Sequence, residues 1–274
     1  MIDTIKYYWS VFIINVKLQI ASQLEYASYM FCWLLMIPIQ GFAGIYVLKT
    51  IMSRVDTLNG WNFGQVAFLF GLALLSHGFQ DMLFIQTRSI EYSVLNGEFD
   101  RMLLRPMGAF YQFCISSFNL VGLFDMIPGI IIFLYGCKMV KFIWSPINIL
   151  YIILITFGGT LIRAAVYTIT GSIAFWTKKS SVFVDLNLAI FERTTQYPMS
   201  IYPNWFIRLF TFIIPIGFVS FYPVSGLLNI SSKMNVPIPL DLIIWCPIVG
   251  IICFIIARAF FLLGLNSKYE SAGS

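Results

Sequence analysis

Residues 27–48 read ASYMFCWLLMIPIQGFAGIYVL, a run of 22 residues without a single charge. Coiled as an α-helix at 1.5 Å per residue, it is roughly 33 Å long, enough to cross the hydrocarbon core of a bilayer. The run is far longer than the apolar region of a cleavable signal, so it is expected to stay in the mature protein as a span. Pro38 and Gly41 are expected to kink it.

The rest of the 274-residue chain has the same character: 59% hydrophobic residues, 11% charged ones and a mean hydropathy of +0.85. Soluble domains carry roughly a quarter charged residues, and no water-soluble core hides this much apolar surface, so membrane lipid must take it. The net charge of +5 comes from scattered Lys and Arg, not from the basic stripe that a nucleic-acid surface needs. Nucleic acid is therefore excluded as a partner. Five cysteines form no CxxC pair and read as small membrane hydrophobes rather than a disulfide framework.

Outward from residues 27–48, residues 1–26 carry Ile5, Trp9, Phe12, Val16 and Ile20 at helical spacing, a pattern suited to a helix lying on the membrane surface. Further apolar runs at about 61–85, 113–136, 146–176 and 242–265 are expected to span, while 180–197 is just long enough to cross. Residues 204–228 are also apolar, but Pro203, Pro215 and Pro223 break them into pieces too short to span alone. The expected fold is all-α, a single polytopic domain over 1–274 with about six transmembrane helices. Positive-inside counting favours both termini inside, with Lys6, Lys17, Arg88, Arg101, Arg105, Lys178, Lys179 and Lys268 on the cytoplasmic side.

The chain contains no GxxxxGK[ST] loop, so ATP-driven work requires a partner subunit. It has no HExxH and only one histidine, His77, which removes most zinc and Ser-His-Asp sites; no metal is expected. His77 itself reads as a packing or hydrogen-bonding residue. Charges at membrane depth say more, since each costs about 2.5–3.5 kcal/mol on insertion scales when unpaired. Asp125 and Arg163, near the middles of the third and fourth spans, are expected to face each other across a hairpin, with Asp81 a second possible partner for Arg163. Asp185, Asn187, Glu192 and Arg193 lie on the irregular fifth segment, where polar groups line a cavity, meet a partner or sit at an interface. Gly60 and Gly64 form a GxxxG at a span edge, which chance explains.

The sharpest feature is the stretch 88–106, RSIEYSVLNGEFDRMLLRP. Gly97 breaks the helix, Glu98, Asp100, Arg101 and Arg105 alternate in charge, Phe99, Met102, Leu103 and Leu104 form an apolar wedge, and Pro106 stops the element. Such a face suits docking to a partner better than a solvated loop.

Together with Leu24-Glu25-Tyr26, the run QYPMSIYPNWFIRLFTFIIP at 196–215 and the ending YESAGS, the stretch GEFDRMLLRP resembles permease subunits of bacterial ABC exporters. The likeness is to the daunorubicin and viologen exporter-like group of the type-2 ABC permeases. That resemblance implies a dimer with an identical or a different permease and two separate ATPase subunits, which hold ATP and magnesium. This chain would hold no cofactor and catalyse nothing itself. It implies a bacterial cell-membrane location and a coupling helix at Gly97–Pro106. It also implies that Ser180–Tyr197 is the fifth span and that Pro198, Pro203, Trp205 and Pro215 mark an outer re-entrant hairpin over 199–229. The expected function is export of an amphiphilic small molecule, peptide or lipid-like compound. The competing reading is a secondary transporter driven by a proton or sodium gradient, for which Asp81, Asp125, Asp185 and Glu192 would be the relevant groups.

Overall fold

The computed structural model describes residues 2–230 and 245–269. Lys233, residues 242–244 of the expected last span and the ending beyond Tyr269 lie outside the described residues. The described residues form helices throughout, with no strand among them beyond an isolated bridge between Leu58 and Trp61.

The helices are α1 (Ile2–Glu25), α2 (Ala27–Met52), α3 (Phe63–Phe84), α4 (Ile90–Leu95), α5 (Glu98–Leu103), α6 (Ala109–Ile115) and α7 (Val121–Met139). They continue with α8 (Pro146–Ser172), α9 (Ala174–Thr177), α10 (Ser181–Thr194), α11 (Asn204–Phe212), α12 (Phe221–Leu227) and α13 (Trp245–Lys268). Five stretches, centred on α2, α3, α7, α8 and α13, are long and apolar enough to cross a membrane; α11 and the segment 216–227 make a pair bent by 80° that adds a sixth if counted as one span. The chain is thus an all-α polytopic membrane protein.

Local signals set the helix starts. Asn62 and Gln65 form a reciprocal capping box at the head of α3, and Ser145 accepts the Asn148 amide at 3.2 Å just before the Pro146 that opens α8. The expected third span at 113–136 is corrected: α6 ends at Ile115, and the crossing helix α7 starts at Val121. The Ser116 hydroxyl donates to the Phe113 carbonyl and the Asn119 amide to the Met82 carbonyl, so these side chains and turns replace the helical ladder that an apolar window would predict.

Without a hydrophobic drive between helices in lipid, packing rests on close backbone approach. The α3–α7 pair shows this directly: a β-carbon on Gly78 would lie 2.7 Å from the Gly122 carbonyl, one on Gly64 2.7 Å from Met139 Cβ, and Gly71 and Gly136 meet Phe133 and Phe68 in the same way. These pairings run in opposite order along the two helices, so α3 and α7 are antiparallel. In contrast, Gly158 meets Gly250, while Phe175 and Trp176 meet Gly264, so α8 and α13 run parallel.

This parallel pair fixes the topology between them. The chain must return across the bundle between the end of α9 and the start of α13. Ser180 and Ser181 lie beside α4, at the end of the bundle where α3 finishes, whereas the Ser200 carbonyl accepts from Asn59, in the loop joining α2 to α3 at the other end. Residues 181–194 are helical for 14 residues, about 21 Å, and residues 195–198 are not. The stretch expected at 180–197 is therefore a helix of 14 residues, too short to cross alone, that continues as non-helical chain. Beyond it, the turn at Ile216–Phe218 dips back: Val219 approaches Gly159 and the Ser220 hydroxyl donates to the Thr195 carbonyl at 3.3 Å, before the Phe221 ring returns to Trp61.

Candidate functional site

Two regions concentrate the polar groups, and α3 and α10 join them. The first is a cavity of about 100 Å³ lined by Gln40 of α2, Phe70 and His77 of α3, Asp125 and Pro128 of α7, and Glu192 and Gln196. A smaller recess beside it shares His77, Glu192 and Gln196 and adds Arg163 and Thr195. The non-helical step after α10 thus falls at the cavity.

The expected pairing of Asp125 with Arg163 is corrected here, and so is that of Asp81 with Arg163. Arg163 is 2% exposed; its guanidinium donates to the Thr195 hydroxyl at 3.0 Å and lies 4.8 Å from the centre of the Phe191 ring. It is held by Phe191 of α10, by Thr195 just after that helix and by the Ala73 carbonyl of α3 at 3.5 Å, rather than by either carboxylate. Asp81 instead forms an ion pair with Arg88, which also donates to Gln80 Oε1 at 2.6 Å and lies 4.7 Å from the centre of the Tyr167 ring. Asp125 sits with His77 and Asp81, their ligating atoms all within 4.8 Å of one another. His77 Nδ1 is 3.9 Å from Asp81 and has no hydrogen-bond partner among the described residues, so this histidine packs beside the two carboxylates. Three such donors can hold a cation, but Arg88 already occupies the Asp81 carboxylate, which makes the cluster a charge network rather than a ready metal centre.

The remaining residues of the fifth segment divide. Asn187 is buried, whereas Asp185 and Arg193 are exposed and outside the cavity. Along the later proline-marked run, Pro203 precedes α11 and Pro215 precedes the Ile216–Phe218 turn, while Pro198 is buried and Trp205 is 67% exposed.

The second region is the end of the bundle beyond α3. Gly97 adopts φ 65°, a left-handed conformation open to glycine, and so breaks α4 from α5. Ser93 donates to Glu98 at 2.6 Å across that break. The expected wedge of four apolar side chains is split. Phe99 is fully buried against Phe113, Phe175, Phe261 and Tyr269, which come from α6, α9 and α13, and Met102 packs at the edge of the same cluster. Leu103 and Leu104 point the other way, 50% and 87% exposed, flanked by the exposed Arg101, Arg105 and Pro106. Large leucines held out on a rigid mount, among cations, form a surface that can dock into an apolar groove.

Glu91 completes the site, and nothing in the sequence singles it out. Its carboxylate accepts the backbone amides of Ser180 and Ser181 at the head of α10. Those amides, Ser180 first, hold its carboxyl below the ordinary value. Arg88 and Glu91 are thus two anchors, three residues apart, from the 88–106 stretch to α3 and α10, two of the helices at the cavity.

The sequence profile described as "ABC-2 family transporter protein" matches residues 35–273. The chain belongs to the ABC-2 family of transporters. No curated protein matches it significantly. As an ABC-2 permease it is a membrane subunit, not an ATPase, and its partners are of the ABC ATPase kind. Membership does not favour the ion-driven reading of Asp81, Asp125, Asp185 and Glu192. In an ABC-2 permease the observed geometry gives separate roles to the two sides of α5: Phe99 fixes the element to the spans, and Leu103 and Leu104 face outward.

Proposed function

We propose that this permease is the transmembrane subunit of an ATP-driven exporter in a bacterial cell membrane, with both termini cytoplasmic. Its cargo is an amphiphilic small molecule, peptide or lipid-like compound. ATP and magnesium are held by separate ATPase subunits, whose grooves receive Gly97–Pro106, and a second permease, identical or different, completes the assembly. The segment 180–197 serves as a discontinuous fifth span and 199–229 as a re-entrant hairpin on the outer side.

One observation carries this reading. α5, which presents Leu103 and Leu104, is tied to α4 by the Ser93–Glu98 bond, α4 is bonded through Glu91 to the head of α10, and the tail of α10 and the residues just after it line the cavity with Glu192, Thr195 and Gln196. A push on α4 and α5 as the ATPases close is delivered along α10 to the cavity, and through Arg88 to Asp81 on α3. Broken helices at membrane depth are where transporters build sites, because their freed backbone groups face polar space rather than lipid.

Replacing Leu103 and Leu104 with Asp tests the assignment. In vesicles containing the permease, its cognate ATPase and cargo, ATP-dependent flux is expected to disappear while the amount of folded permease is unchanged. Flux untouched by the double substitution rejects the docking role of this element.

A further inference from the structure

A third cavity belongs to neither region. It is a cleft of about 680 Å³ between α1, α6 and α13, with Trp9, Phe12, Phe110, Phe254 and Leu262 among its walls. One charged residue lines it, Arg258 of α13, and no carboxylate does. Arg258 is exposed and forms no ion pair with any described residue. An arginine among aromatic and aliphatic walls on a membrane-spanning helix needs an anionic partner, and the described residues around it supply none.

Its depth says where the partner comes from. One turn before it, Phe254 meets Phe84, the last residue of α3, edge to face with ring centres 5.4 Å apart. One turn after it, Phe261 joins the Phe99 cluster beneath the spans. Arg258 therefore lies level with the ends of the spans on the docking side, at the boundary where phosphate headgroups sit. Trp9 and Tyr111 at the rim are the residue types that favour that boundary. The cleft also has the size of a small-molecule pocket and apolar depth for an acyl chain.

We infer that this cleft seats an anionic glycerophospholipid of the docking-side leaflet, its phosphate on the Arg258 guanidinium and an acyl chain between Phe12 and Leu262. The lipid wedges α1 against α6, which Tyr111 already ties to the Tyr8 carbonyl at 2.7 Å. Because α6 follows the docking element directly, the seated lipid stabilises the base on which Leu103 and Leu104 are displayed. The inference requires only a membrane-embedded chain, and its test reads lipid rather than transport.

Native mass spectrometry of the full-length permease, released from detergent in equal phosphatidylglycerol and phosphatidylcholine, supplies that test. The wild type should retain one phosphatidylglycerol in preference. Arg258→Gln should lower the retained fraction about tenfold, as loss of a charge-assisted contact does. Leu262→Trp keeps the charge but fills the cleft, and should also lose the lipid. Arg208→Gln, at an exposed position of α11 away from the cleft, should retain it. Equal retention of the two lipids by the wild type, or undiminished phosphatidylglycerol on Arg258→Gln or Leu262→Trp, overturns the inference. Circular dichroism of each variant confirms that a loss is not unfolding.

Discussion

The ion pair between Arg88 and Asp81 can be separated into a structural and a transmitting part by a double-mutant cycle. Both side chains are largely buried, at 17% and 12% exposure. Arg88→Met leaves the Asp81 carboxylate between His77 at 3.9 Å and Asp125 within 4.8 Å, with no ion-paired cation, so the loss should approach the about 3–5 kcal/mol typical of stranding a buried charge. Asp81→Asn should cost less, about 2 kcal/mol, because Arg88 keeps Gln80 at 2.6 Å and the face of Tyr167. With both changed, no charge is stranded, and the loss should fall back to about 1 kcal/mol. The coupling energy is then about 4–6 kcal/mol. Unfolding in mixed micelles by increasing dodecyl sulfate, followed by tryptophan fluorescence, measures each corner. Additivity within about 0.5 kcal/mol would refute the pair as an energetic unit. Transport adds a second reading: the double variant recovers stability but not ATP-coupled flux, since the link between the docking region and α3 is gone. Full flux in that variant would leave the pair as glue alone.

Phe99→Ala should destabilise the permease by about 3–5 kcal/mol, because a fully buried ring is removed from a cluster of four others; the same unfolding titration reads it, against a change within about 0.5 kcal/mol for Leu104→Asp at 87% exposure. Glu91→Gln should loosen the first turn of α10 by about 0.5–1 kcal/mol, the low end of a capping loss because Glu91 is partly solvated, seen as faster amide exchange at 181–185. Since the folded carboxyl is held below its ordinary value, its contribution is complete at neutral pH and is lost as pH falls through the folded value. Acidification should therefore erase the difference between wild type and Glu91→Gln.

Hydropathy made the long spans legible, because α2, α3, α8 and α13 are continuous apolar runs whose length alone decides them. It could not give helix rotation. Asp125 and Arg163 sit mid-span and invite pairing, yet α7 turns Asp125 toward His77 while α8 turns Arg163 toward Thr195. The wedge at 99–104 failed for a related reason: which leucine or phenylalanine faces inward depends on α6, α9 and α13 converging beneath α5, a long-range fact absent from the local pattern. The α3–α7 seam, in contrast, was written in the sequence under a different spacing. Gly64, Gly71 and Gly78 repeat every seven residues, as do Gly122, Gly129 and Gly136. A heptad of glycines keeps one face of each helix small over three turns or more, which is what antiparallel backbones in close contact need. Reading only GxxxG drew attention to Gly60, whose φ of 87° belongs to a turn and whose β-carbon would meet nothing.

The fifth segment was ambiguous in the sequence because it is not one kind of structure. Parallel α8 and α13 oblige the chain to return across the bundle, and the part that returns is apolar enough for lipid only in places. Its helical half, α10, ends where the Thr194 and Thr195 hydroxyls bond back to the Ile190 and Phe191 carbonyls and Pro198 follows, so the ladder has no continuation. Arg163 fills the position opened by that ending, taking the Thr195 hydroxyl as acceptor. Gln196, just past that ending, lines with His77 and Glu192 the recess that Arg163 and Thr195 also border. The break and the buried arginine therefore meet at this polar space, at the end of α10 opposite the one that Glu91 of α4 holds.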